Sequence, residues 1–519
     1  MSAWSFIIVG GGTAGAVLAA RLSEDPGCSV LLLEAGPDYR AADTPAEFRD
    51  RTKGLGLALE APRTDLNPEF YWQGITATRA AGQQPFPYRR GRGLGGSSTV
   101  NGLYAIRGVP DDFAEWERLG ARGWGPESML AAYRRIEDDH DFAQAPHHGQ
   151  DGPTPVYREP ESGWGGVDLA LRAAAVDAGY PWHPDHNDPA ATGVSPMAMN
   201  IREGLRVGTN HAYIEPVRSR PNLCIRGGIL ADRVVLEGNT AVGVLDADGT
   251  FHGLLPGGEV ILSAGSCASP AILMRSGIGR AEDLAEAGVV QLADLPVGRG
   301  AQDHAVAFVE LPVRPEAQTC VANRPTNVVL RYSSGFPRSR TNDMMIMATN
   351  HNYWFGKETA GLAVSLEQPF SRGRMSLRSA DPHVDPHFDL ALLSDPLDLG
   401  RVRDGLERAR RLMEHQSFRS IATGPARWPL DDGEIIASVK DTMHLTSTVR
   451  MGHPDGPDTV VDPHCRVLGV DRLRVVDASI MPTVVSANTY LTVLALADEF
   501  AERLLRERKP LTTAHEGRA

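Results

Sequence analysis

Ser5-Phe6-Ile7-Ile8-Val9-Gly10-Gly11-Gly12-Thr13-Ala14-Gly15 is the stretch that decides the fold. Its first five residues are an apolar run rich in β-branched side chains, and beyond the glycines Val17, Leu18 and Leu22 recur at helical spacing. The pattern predicts strand, tight turn and helix. The glycines differ in what they do: Gly10 permits the turn, Gly12 lets the backbone approach a pyrophosphate, and Gly15 lets the helix pack close to the strand. Thr13 and Ala14 open the helix, whose N-terminal N–H groups face the phosphates.

After the turn signal Asp25-Pro26-Gly27 a second apolar run, Ser29-Val30-Leu31-Leu32-Leu33, ends in Glu34 and Ala35. A carboxylate about twenty residues past the glycines accepts hydrogen bonds from ribose hydroxyls and repels a 2′-phosphate, which favours an ADP moiety. A second match to the glycine pattern, Gly91-Arg92-Gly93-Leu94-Gly95-Gly96, follows Gln83-Gln84-Pro85-Phe86-Pro87-Tyr88. Those prolines exclude a buried strand there, so this is no second nucleotide fold. A single nucleotide fold, were the chain a redox enzyme, suggests a cofactor that stays bound and is reoxidised in place, hence FAD rather than a nicotinamide.

The 519 residues imply two or three lobes at ~100–200 residues per domain. Hydrophobic residues at 42% and charged residues at 23% are ordinary for a globular protein. The net charge of -13 is scattered, and the short basic stretch Arg89-Arg90-Gly91-Arg92 lacks interleaved aromatics, so no nucleic-acid partner is expected. Cys28, Cys224, Cys267, Cys320 and Cys465 are far apart without a C-x-x-C pair, which implies neither a disulfide framework nor a zinc knuckle. His147, His148, His183 and His186 lack a four-ligand set at metal spacing and are read as loop histidines, with no metal. No apolar stretch approaches the ~18–20 residues of a membrane span, and the N-terminus shows no basic and apolar leader, so a cytoplasmic protein without a transmembrane segment is expected.

Four further segments together resemble the glucose-methanol-choline (GMC) oxidoreductase family of flavoenzymes. Gly91 to Gly102, ending Ser97-Ser98-Thr99-Val100-Asn101-Gly102, is similar to the loop that runs along the flavin and pyrophosphate. Gly265 to Gly279 resembles the second family signature, and His444-Leu445-Thr446-Ser447-Thr448-Val449-Arg450-Met451-Gly452 the segment bearing the active-site histidine. Leu473 to Pro482, followed by Ser486-Ala487-Asn488-Thr489, resembles the C-terminal flavin-binding stretch. Arg372 to Leu377 and Asp381-Pro382 match a further family-typical stretch.

The resemblance implies an α/β fold in which a Rossmann-like FAD lobe is interleaved with an α+β substrate lobe built on an antiparallel sheet. Residues 1–300 would be mainly FAD-binding, with covering segments at about 50–87 and 138–195; 301–440 would be mainly substrate-binding; 441–510 would return to the FAD lobe. It further implies cofactor contacts from Arg92, Leu94, Gly95, Gly96, Ser97, Asn101, Gly102, Ala231, Ala264, Gly265, Asp477, Ala478, Asn488 and Thr489. Some members bind flavin covalently through a histidine just before the Asn of the first signature; here that residue is Val100, so FAD is expected to be non-covalent.

Local signals add detail. Val234-Val235-Leu236, the turn Glu237-Gly238-Asn239 and Ala241 to Leu245 read as a hairpin, Glu259 to Ser263 as a strand, and Leu399 to Met413 as a surface helix. From about Asp138 to Pro189 the chain reads as irregular covering loops around one helix, Val167–Ala178, and the tail after Lys509 as frayed.

Alcohol oxidation requires a base for the hydroxyl proton and a hydride acceptor for the carbon. An imidazole with an ordinary pKa of ~6.5 suits the first role. Among sixteen histidines only the family motif selects His444. By the same resemblance the position two residues after Asn488, here Tyr490, would face it and orient substrate, since a phenol of pKa ~10 is a poor base. The expected activity is oxidation of a small or aromatic primary alcohol, with electrons passed to O2, a quinone or another redox carrier such as mycofactocin. The family also contains hydroxynitrile lyases that keep FAD structurally, and no residue excludes that alternative.

Overall fold

Strand β1 (Ala3–Val9) lies inside a seven-stranded sheet, and Phe6, Ile7 and Ile8 are fully buried. Burial on both faces is what a continuous apolar run in a parallel sheet provides for. The computed structural model describes residues 3–51, 67–318, 324–351 and 360–508. Helix α1 (Thr13–Leu22) follows the glycine turn and β2 (Val30–Leu33) pairs parallel with β1, Val9 lying opposite Leu33. Outward from β2 lies β3 (Leu223–Arg226). On the other side of β1 come β6 (Phe251–Leu262), β5 (Thr240–Asp246) and β4 (Ala231–Glu237), with Leu473–Val475 parallel to β6. The β4–β5 pair is the hairpin expected from its turn residues.

Register places the functional turns together. Val9 pairs with Leu33 and Leu262, and Leu262 with Val475, so these parallel strands end on one edge. Gly10, Glu34, Ala264 and Asp477 all follow there, in the crevice beyond the carboxyl ends of the strands where α/β sheets bind ligands. Helix α2 (Gly265–Arg275) starts from the same edge.

The second large sheet is antiparallel. Its six strands run in the order Lys440–Asp441, β7 (Ala305–Leu311), β10 (Ala360–Leu366), β9 (Met344–Thr349), β8 (Val328–Tyr332) and Gly193–Pro196. Helix α3 (Pro396–Met413) covers one face; it begins earlier than its periodicity suggested because Asp395 caps it and Pro396 fits its first turn. A Cβ on Gly405 would stand 2.6 Å from Val364 and 3.0 Å from Met344, so glycine allows this close seating. Buried Arg401 binds Asp343 at 3.0 Å and Asp398 at 2.5 Å, fixing the helix to the sheet rim. The other face of the sheet is left for the site.

Helix α4 (Thr489–Arg508) returns the chain to the first lobe and packs on α1, with Arg21 bridging to Asp498 and Glu502. The helix of the covering segment spans Gly166–Asp177, one residue before its expected position. Residues 52–66 of the first covering segment, Cys320 and the tail after Lys509 lie outside the described residues. Among the described residues no helix is long and apolar enough to cross a membrane.

Candidate active site

One cavity runs between the lobes from the glycine turn to His444. It is lined by Gly10, Gly12, Thr13, Ala14, Glu34, Ala35, Gly96, Ser97, Asn101, Gly102, Ala231, Ala264, Gly265, Asp477, Ala478, Asn488, Thr489, Tyr490 and His444. Gly15, Arg92, Leu94 and Gly95 stand outside that lining and build its wall. A Cβ on Gly15 would lie 1.8 Å from the Gly10 carbonyl oxygen, Leu94 packs against Gly11, Gly95 N–H donates to Gly11 O at 2.9 Å, and Arg92 donates to Ala35 O at 2.8 Å.

The cradle fits a dinucleotide. Gly10 has φ +101°, open to glycine but strained for other residues. A Cβ on Gly12 would meet only Gly96 Cα at 3.8 Å and otherwise project into free space, beside the first N–H groups of α1. Glu34 does more than was expected of a ribose ligand. Its carboxylate accepts from the N–H groups of Gly11 (2.7 Å), Gly36 (2.8 Å) and Gly93 (2.9 Å), clamping both glycine loops and leaving limited acceptor capacity for a sugar hydroxyl. Asp477 is likewise engaged with protein, accepting from Gly265 N–H, Ser269 Oγ, Ser479 N–H and Ser479 Oγ, so it locks α2 to the C-terminal segment. Burial pushes its carboxyl above the usual range.

At the other end of the cavity, pairing of Lys440–Asp441 with Val306 and Ala305 brings His444 against His304. The two Nδ1 atoms are 2.9 Å apart. His304 Nε2 lies 2.9 Å from the Val485 carbonyl, which can only accept, so that nitrogen carries a proton. In neutral His304 the Nδ1 is then the acceptor, and His444 must be protonated at Nδ1. Thr442 Oγ1, 2.7 Å from the same Nδ1, accepts as well and passes its own proton toward Asp303. His444 Nε2 is therefore the bare nitrogen, next to the Asn488 amide at 3.3 Å.

The segment carrying His444 is irregular and pinned. Met443 has φ +60° and Ser447 φ +65°, uncommon for non-glycine residues. Asp441 Oδ1 accepts from Met443 N–H, Arg90 donates to Met443 O, and Asp303 accepts from His444 N–H at 2.9 Å and from Tyr88 Oη at 2.6 Å. The imidazole opens only to the cavity. That burial, with His304 and Arg90 nearby, holds its pKa well below the ordinary histidine value, so it is a neutral acceptor at pH 7.

Asn488, rather than Tyr490, is the residue within hydrogen-bond distance of His444 Nε2. Asn488 immediately precedes α4, and Tyr490 lies in the first turn of that helix. The amide faces His444, while the Tyr490 phenol, which also lines the cavity, is buried near Arg206 with no hydrogen-bond partner for its hydroxyl among the described residues, and desolvation raises its pKa. His304, Thr442, Asp303 and Arg90 were not singled out from the sequence. An Asp-His pair just before an apolar strand was the available signal, and it is weak without a partner.

Beyond His444 the cavity is floored by the open face of the antiparallel sheet. Register sets Val306, Ser365 and Met345 in one row and Phe308, Ala363 and Met347 in the next, with Thr349 beyond and Glu367 on the His304 side. The result is a mainly apolar floor.

The histidines of the covering segment form a different arrangement. Buried His148 contacts Glu137 (2.9 Å), Asp139 (3.1 Å) and Asp185 (2.8 Å), while Arg107 and Arg158 pair with the same carboxylates. Burial opposes its charge, but the bonds to Asp185 and Glu137 prevail and raise it to about 9. His148 is thus an imidazolium in a cluster that its own cations balance, and not the solvated loop residue expected. His186 is also buried, and desolvation holds it neutral.

Comparison with known proteins gives the family. Two family descriptions, both GMC oxidoreductase, match residues 4–306 and 369–497. The chain is 35% identical to 5-(hydroxymethyl)furfural oxidase of Methylovorus sp. (strain MP688), over 97% of this chain and 99% of that protein. It is 34% identical to oxygen-dependent choline dehydrogenase of Burkholderia pseudomallei (strain 1710b), over 98% and 94%. Among solved structures it is similar to pyridoxine 4-oxidase from Mesorbium loti, with a TM-score of 0.85 and 30% identity over 96% of this chain and 99% of that one. With one dinucleotide cradle, one neutral imidazole at its far end and matches across nearly its whole length, the chain belongs to the GMC oxidoreductase family and is an FAD-dependent enzyme acting on CH–OH donors.

Proposed function

We propose that the enzyme oxidises a primary alcohol carried on a flat aromatic or heteroaromatic ring, with His444 Nε2 as the acceptor of the hydroxyl proton. The observation that supports this reading is the chain of contacts in which His304 Nε2 lies 2.9 Å from the Val485 carbonyl and His304 Nδ1 lies 2.9 Å from His444 Nδ1, which leaves His444 Nε2 beside the Asn488 amide at the cavity. Bound FAD supplies the hydride acceptor. The Asn488 amide is in reach to hold the substrate oxygen beside Nε2, and Asp303 keeps the His444 backbone from shifting as charge develops. A positioned base of this kind contributes ~10²–10⁴-fold.

Phe308, Met345, Met347 and Ala363 favour a ring, since thioether and aromatic faces pack well on aromatic surfaces. The names of the furfural and pyridoxine oxidases describe ring-bound hydroxymethyl groups and support the same class. Val100 offers no atom for a bond to flavin, so FAD is held non-covalently by the cradle. The acceptor is dioxygen, in keeping with the names of all three relatives, and the four described cysteines are unpaired, in keeping with a cytoplasmic protein.

Anaerobic mixing with benzylic and furanic alcohols, followed by flavin absorbance and repeated in air, tests this. Bleaching by ring alcohols, peroxide release in air and a loss of ~10²–10⁴ in reduction rate for His444→Ala are expected. Equal reduction by the variant, or reduction only by aliphatic alcohols, would refute the reading.

A further inference from the structure

Glu367 is a buried carboxylate on the cavity wall that the reaction as described leaves unused. It follows the last residue of β10, and its Oε2 lies 3.5 Å from His304 Nδ1, the atom that faces His444 Nδ1. We propose that Glu367 is a positioning residue for proton removal: with His304 it forms a path that takes the alcohol proton's charge away from His444.

The geometry permits one route. The alcohol O–H bond breaks and an N–H bond forms at His444 Nε2; the Nδ1–H bond of His444 breaks and an N–H bond forms at His304 Nδ1. This is a transfer of protons alone, and FAD, when bound, would supply the acceptor for the hydride. His304 Nε2 keeps its proton throughout, because it donates to the Val485 carbonyl. The positive charge then rests on His304, at ion-pair distance from Glu367. His444 itself is a weak resting place for charge, its burial, His304 and Arg90 all opposing the imidazolium.

Other groups face this path. Asp303, with Asp441 near, lies beside Thr442 and the His444 backbone, Arg90 acts on His444, and Arg331 feels the field of Glu367. Only Glu367 carries a carboxylate oxygen at ion-pair distance from His304 among the described residues.

The inference rests on His444 as base, and the experiment separates the two. Flavin reduction is followed anaerobically across pH for the holoenzyme, Glu367→Gln, Glu367→Asp and His444→Ala. Removing the carboxylate removes support for the charged form, so the pKa of the histidine pair falls. The acid limb of the Glu367→Gln profile should move to lower pH by about one unit or more and its plateau drop roughly tenfold, since a weaker base transfers less well. Glu367→Asp, which keeps the charge, should restore the limb to within about half a unit and serves should the glutamine variant lose FAD. If the Gln and Asp limbs coincide with wild type and only the substrate Kd changes, Glu367 is a substrate contact and the inference falls. If His444→Ala reduces at the wild-type rate, the base assignment falls with it.

Discussion

Alanine at Gly12 and at Gly15 should fail in opposite ways. At Gly15 the new Cβ would stand 1.8 Å from the Gly10 carbonyl oxygen and 3.0 Å from its carbon, so α1 must move away from β1 by more than an ångström. Overpacking of that kind costs about 1–3 kcal/mol or more, and it acts on the protein with or without cofactor. At Gly12 the backbone has φ −75°, which alanine adopts, and the nearest atom to the new Cβ is 3.8 Å away. The apoprotein should change by no more than about 0.5 kcal/mol. The methyl group would instead occupy the approach to the pyrophosphate and cost one or two charge-assisted hydrogen bonds, about 1.5–3 kcal/mol each, hence ~10–100-fold or more in FAD affinity. Thermal unfolding of the apoproteins and fluorescence titration with FAD separate the cases. An apo Gly12→Ala protein as unstable as Gly15→Ala, or an unchanged FAD Kd for Gly12→Ala, would refute the assignment of that space to the cofactor.

Two further outcomes follow from the side-chain geometry. Asn488→Ala should slow flavin reduction roughly tenfold or more through loss of an amide bond near the reacting oxygen, whereas Tyr490→Phe, which deletes a hydroxyl without a hydrogen-bond partner, should stay within about twofold; stopped-flow absorbance with FAD content measured in parallel decides between them, and the reverse order would restore the phenol to the site. His148 has a folded pKa of about 9 against 6.5 for the free residue, so its contribution is fully present below pH 6.5 and is lost as pH rises through 9; that is roughly 2–3 kcal/mol, visible as a falling urea midpoint between pH 6 and 9 that His148→Gln should flatten.

The nucleotide half of the molecule was legible because its signals are local: run, glycines, helix and acidic residue lie within one βαβ unit, and register carries them to one edge. The substrate half was not. Strand β10 is buried on both faces, so Ala363 and Ser365 on the cavity floor and Leu362, Val364 and Leu366 under α3 read as one apolar run with no period of two to mark the floor. His304 and His444 are 140 residues apart, and the pairings of Lys440–Asp441 with β7 and of Gln302 with Thr446 bring them together. The reading of Tyr490 has the same origin. Counting positions from Asn488 does not tell which side chain reaches the imidazole, and in the fold it is the Asn488 amide, just ahead of α4, that lies beside it.

Asp303 shows what the site costs. Burial, with Asp441 near, raises its carboxyl to about 6, so its ionised form at neutral pH is held at the expense of folding. Replacing it by a neutral group would remove that expense, yet both of its oxygens are committed: one accepts from Tyr88, the other from the His444 N–H and Thr442. An amide in its place could offer only one acceptor oxygen and would set an N–H₂ against one of these donors. The left-handed backbone at Met443, another local cost, is held by Asp441 and Arg90 in the same few residues. Strain and desolvation are concentrated on the segment whose imidazole must keep one nitrogen bare, which is where rigidity serves proton transfer and where propensity in the sequence gives no warning of it.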